Sequence, residues 1–61
     1  MKLREFHKYV TGRVCLYEEN GLDYKDLYIG ELTNAPNKLL EREVRNIGAK
    51  RKNLLDIELR I

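Results

Sequence analysis

One histidine, His7, and one cysteine, Cys15, occur in this chain of 61 residues, and those two residue types carry much of the nucleophilic and metal chemistry of proteins. A lone histidine cannot build a two-histidine metal site, and a His-Cys pair needs both groups on neighbouring segments. His7 is therefore expected to be a solvated helix residue and Cys15 a small apolar strand residue. The carboxylate pairs Glu41/Glu43 and Asp56/Glu58 are close enough for acid-base work, but Arg42, Arg45 and Arg60 stand beside them, so solvated salt bridges are expected instead. The sequence has no Gly-rich phosphate loop, zinc spacing or calcium loop. The expectation is a protein that is not an enzyme, with no catalytic residues, no metal and no cofactor.

Binding chemistry is better represented. Residues 1–13 carry Lys2, Arg4, Lys8 and Arg13 against Glu5, and residues 42–52 carry Arg42, Arg45, Lys50, Arg51 and Lys52 against Glu43. Between them Glu18, Glu19, Asp23, Asp26 and Glu31 oppose only Lys25. An acidic hairpin and a basic end are expected within a net charge of only +2. Solubility and attraction between hairpins account for this at the least. The sharper expectation is a protein-binding face made by Tyr17, Tyr24, Asp26 and Tyr28, where stiff aromatic area sits beside carboxylates that steer a basic partner. Cross-strand aromatic pairs also stabilise an open sheet with no partner. The alternative is nucleic-acid binding by Arg45, Lys50, Arg51 and Lys52, since phosphate contacts need only clustered cations. A third reading is a homodimer or assembly subunit that pairs through an exposed edge, with the final strand placed there.

The elements that must hold these groups follow from periodicity. Leu55, Ile57, Leu59 and Ile61 alternate with Asp56, Glu58 and Arg60, a period of two that makes Leu54–Ile61 a strand with one aliphatic and one charged face. Leu3, Phe6 and Val10 recur at helical spacing, so residues 2–10 read as a short amphipathic helix stopped by Gly12. Residues 13–18 alternate again, with Val14 and Leu16 on one face and Cys15 and Tyr17 on the other. Asn20-Gly21 favours a hairpin turn, with a loop that can extend through Leu22 and Asp23. In the strand from Tyr24 to Leu32, Leu27 and Ile29 share the buried face, Tyr24, Asp26 and Tyr28 the other, and Gly30 permits a bulge. Asn34 and Pro36 open a helical segment over 36–42, and Val44 to Lys50 resumes an extended pattern.

The resulting order is α-β-β-α-β-β: an α+β domain, with a small four-stranded, mainly antiparallel sheet and both helices on one face. The expected core is Leu3, Phe6, Val10, Val14, Leu16, Leu27, Ile29, Leu32, Leu39, Leu40, Val44, Ile47, Leu55, Ile57 and Leu59. Residues 1–61 form a single domain, since a chain of this length buries only about 60% of its unfolded surface. A hydrophobic content of 43% with 36% charged residues separates it from disordered chains. With no apolar run of about 20 residues, no signal-peptide pattern and no paired cysteines, the expected address is the cytoplasm, without membrane contact.

Leu3–Phe6 ("LREF"), Leu27–Leu32 ("LYIGEL"), Leu39–Val44 ("LLEREV") and Leu54–Ile61 ("LLDIELRI") together resemble a group of small accessory proteins of bacteriophages and integrated elements of Gram-positive bacteria. The resemblance spans most of the chain and transfers no site residues. It implies a setting in which a small protein binds a host or phage macromolecule and alters it. Inhibition of a host nucleic-acid-handling or defence protein, such as a CRISPR nuclease, is one such role.

Overall fold

A computed structural model describes the backbone of all 61 residues and every side chain except those of Lys50 and Arg51. Four strands, β1 (Arg13–Asn20), β2 (Asp23–Glu31), β3 (Val44–Arg51) and β4 (Leu54–Leu59), form one sheet in the order β2-β1-β4-β3. β1 pairs antiparallel with β2 and β3 antiparallel with β4, and the two hairpins meet where β1 and β4 run parallel. The α+β architecture and the succession of elements match the expectation. The final strand does not lie at an edge: β4 is interior, and β2 and β3 are the outer strands.

The expected helices are shorter than their periodicity implied. At the N-terminus only Leu3–Phe6 winds, as a 3-10 turn, followed by hydrogen bonds from Tyr9 and Val10 N–H to the Phe6 carbonyl. Two and a half turns cannot persist in water unaided, and this segment is pinned at its start, where Leu3 N–H donates to Arg42 O and Val44 N–H donates to Met1 O. The segment after β2 splits at the rigid Pro36. Leu32–Asn34 makes one 3-10 turn and α1 (Asn37–Leu40) a single helical turn, so Asn34 belongs to the preceding turn and Pro36 itself occupies the N-cap position.

These turns deliver Leu3, Leu32, Ala35 and Leu39 onto Val14, Leu16, Ile57 and Leu59 of the interior strands, and those residues form the buried cluster. Burying each large aliphatic side chain contributes roughly 1.5–3 kcal/mol, and the interior pair β1/β4 supplies most of them. Val10, Leu27, Leu40, Val44 and Leu55 pack at the margin. Arg42 ties the layer down: its guanidinium lies 2.9 Å from Glu18 of β1 and donates to the Arg60 carbonyl beyond β4.

Two expected core residues are exposed. Ile47 faces Ile57 in register, but on an outer strand at the rim. Ile29 fails for a different reason. Leu16 pairs with Tyr28 while Tyr17 pairs with Asp26, so Leu27 is an extra residue in β2, and the parity of everything after it is reversed. Leu27 and Tyr28 both pack on the core, and Ile29 turns to the opposite face beside Cys15. Ile61 also leaves the aliphatic row, because β4 ends at Leu59.

Candidate functional site

All helical turns pack on one face of the sheet, and the candidate site is the other face. The hairpin that carries its acidic half closes through a two-residue turn, Gly21-Leu22, shorter than the extended loop allowed by the sequence; Gly21 supplies φ +72°. This tight closure sets Tyr17 of β1 and Tyr24 of β2 on the open face. Their ring centroids lie 6.1 Å apart, edge to face at 72°, a geometry favoured by the quadrupoles of the two rings. Asp26, paired with Tyr17 in register, lies beside them and accepts a hydrogen bond from the Cys15 thiol at 3.6 Å.

Tyr28, grouped with these residues by simple alternation, is not on this face. The Leu27 bulge turns it to the core, where its hydroxyl donates to Glu31 O at 2.6 Å. That hydroxyl also lies 2.9 Å from the point where a Cβ on residue 30 would stand, and Gly30 has φ +153°. Glycine is therefore required there on two counts, steric and conformational.

The parallel register of β1 and β4 places Cys15 beside Asp56 and Tyr17 beside Glu58. Asp56 and Glu58 are only 7% and 6% exposed, which corrects the expectation of solvated carboxylates. An interior position between two neighbouring strands, not an overlying layer of chain, removes them from water. Glu58 faces Arg45 at 3.7 Å, and Arg45 reaches it because the β3/β4 register shifts between Val44 and Asn46. Sequence periodicity put Asp56 and Glu58 on one strand face and Cys15 and Tyr17 on another. It held no signal that those two faces adjoin, because adjacency of β1 and β4 is a property of topology.

The field of this cluster is visible at Tyr17. Partial burial pushes its phenol above the ordinary tyrosine value, and the negative charges of Glu58, Glu19 and Asp56 push it further in the same direction. A phenol set among carboxylates suits hydrogen bonding or stacking against a cation. The other paired carboxylates are elsewhere: Glu41 meets Lys2 and Arg4, and Glu43 meets the Met1 ammonium at 2.6 Å. That ammonium lowers the Glu43 carboxyl through a hydrogen bond and its charge.

The basic set proposed for nucleic acid is divided. Arg45 is engaged with Glu58, Lys52 is exposed in the β3–β4 turn, and the side chains of Lys50 and Arg51 lie outside the described residues. Among the described residues no group of three or more His, Cys, Asp or Glu is placed to hold a metal ion, and no helix is long and apolar enough to cross a membrane. No family model, curated protein or solved structure matches the chain.

Proposed function

We propose that the protein is a binding module whose open sheet face, centred on Tyr17, Tyr24 and Asp26, docks on a cationic surface of another protein. The observation that carries this reading is the edge-to-face tyrosine pair set among Glu19, Asp26, Asp56 and Glu58. Tyrosine offers large area at small entropic cost, and a carboxylate field speeds encounter with a basic partner. Cationic grooves are the surfaces by which proteins hold nucleic acid, so a partner of that kind would be blocked by occupation of its groove. The resemblance to phage and mobile-element accessory proteins favours a host nucleic-acid-handling or defence protein, such as a CRISPR nuclease, as that target.

The test is affinity capture from bacterial lysate with the native chain and with Tyr24→Ala/Asp26→Lys, both exposed positions. A specific protein retained by the native chain, lost with the variant and displaced by added oligonucleotide is the expected result. Capture unaffected by the variant would refute the reading. Direct nucleic-acid binding through the basic 42–52 segment is the competing proposal, and it requires a gel shift that weakens steeply with salt.

A further inference from the structure

Cross-strand register gives the tip half of the open face a pattern that alternation along either strand does not show. Tyr17 of β1 pairs with Asp26 of β2, and Glu19 pairs with Tyr24, so these four side chains form a two-by-two checkerboard. The tyrosines hold one diagonal, with ring centroids 6.1 Å apart, and the carboxylates hold the other. Glu19, Tyr24 and Asp26 are exposed and Tyr17 is half-buried. Among the described residues neither Glu19 nor Asp26 is in an ion pair, and Asp26 accepts one hydrogen bond, from the Cys15 thiol to Oδ1. The described cations of the neighbouring segments are directed elsewhere. Lys25 pairs with Glu18 and so takes the opposite face, and Arg13 stands across from Glu31 at the far end of β1. Arg45 is on Glu58, Arg42 is on Glu18, and Arg60, past the end of β4, acts on Glu43.

We propose that this checkerboard seats an arginine side chain of the partner protein, its guanidinium lying on the Tyr24 ring and donating to Glu19 and Asp26. The inference rests on the open-face reading and names the group that the face takes. Two carboxylates outside any ion pair select a cation. The aromatic ring between them selects its shape. A guanidinium is flat, stacks on a ring and carries five N–H donors in a fixed fork, so it can lie on the tyrosine and bond carboxylates on both sides at once. An ammonium is a compact, strongly hydrated point charge, and diagonal neighbours in an antiparallel pair stand about 7–8 Å apart, too far for it to serve both well. Contact with Tyr17 holds the Tyr24 ring before binding, so little side-chain freedom is lost when the arginine arrives.

The test is an NMR titration of the full chain with two blocked tripeptides, Gly-Arg-Gly and Gly-Lys-Gly, up to about 20 mM, since one side chain supplies only millimolar affinity. The arginine peptide should shift the resonances of Tyr17, Glu19, Tyr24 and Asp26, and the lysine peptide should bind at least about threefold more weakly. Tyr24→Phe keeps the ring and should bind as the native chain does. Tyr24→Leu should bind about two- to fivefold more weakly, and Glu19→Gln/Asp26→Asn at least about tenfold; an unchanged spectrum elsewhere shows that each variant is folded. Equal binding of the two peptides overturns the proposal, because the face would then respond to charge alone. So do shifts confined to other carboxylates, or movement of the same resonances when the chain alone is concentrated, which would seat a second copy there. Capture with Tyr24→Ala/Asp26→Lys tests the binding face separately. A partner lost with that variant beside equal tripeptide binding defeats the arginine assignment and keeps the reading, whereas capture unaffected by the variant defeats both.

Discussion

On one side of β1 and β4, Val14, Leu16, Ile57 and Leu59 are sealed beneath Leu3, Leu32, Ala35 and Leu39; on the other, Cys15, Tyr17, Asp56 and Glu58 lie in the sheet without a helical layer over them. Both sets are largely withdrawn from water, by different means. The first is buried by packing against a second layer, which supplies stability. The second is buried by neighbours in its own sheet, and polar groups withdrawn that way must find partners. Glu58 has Arg45, and Asp26 accepts from Cys15. Stability and recognition are thus divided between the faces of the same two strands.

The largest effect that tests this division is on the sealed side. Ile57→Ala should cost about 2–5 kcal/mol. A domain of 61 residues has in total only roughly 3–9 kcal/mol. Urea denaturation should therefore show a variant at or near unfolding. Next is Gly30→Ala, which meets both the Tyr28 hydroxyl and an unfavourable φ; a loss of about 1–3 kcal/mol is expected. Tyr28→Phe in that background should recover only part of the steric cost, because the ring carbon Cζ stays 3.2 Å from the new Cβ.

On the open side the effects on folding shrink. Glu58→Gln removes one of the charges raising Tyr17, so tyrosinate absorbance should show Tyr17 titrating closer to its ordinary value while still held up by burial. The sign follows from linkage: with the folded phenol pKa above the unfolded one, the contribution to stability is complete below about pH 10 and is lost as pH rises through the folded value. Smallest is the Met1–Glu43 pair, which is exposed. Acetylating the amino group should let the Glu43 carboxyl rise toward its ordinary value, by NMR titration. The lowered folded pKa means that its slight stabilisation exists above the unfolded value and fades as pH falls through the folded one.

Much of this division was legible in the chain itself. Alternation in 13–18 and 54–61 correctly paired Val14 and Leu16, and Ile57 and Leu59, as core residues and set Tyr17 apart from them, and alternation in 24–32 did the same for Tyr24 and Asp26. Tyr28 and Ile29 were exchanged because a bulge at Leu27 depends on cross-strand hydrogen bonding, which leaves no mark on a hydrophobic period of two. The association of Tyr17 with Glu58 was hidden because two hairpins can dock by several edges, and periodicity within each is the same for all of them. The N-terminal helix was overextended because Leu3, Phe6 and Val10 fit helical spacing equally well as a 3-10 turn followed by a bend.

The most direct measurement compares Tyr24→Ala/Asp26→Lys with the native chain twice, once for unfolding free energy and once for capture of a protein partner. If the open face is for recognition, unfolding should change by about 1 kcal/mol or less while the partner is lost. Unfolding by several kcal/mol, or a partner retained at native strength, would contradict it.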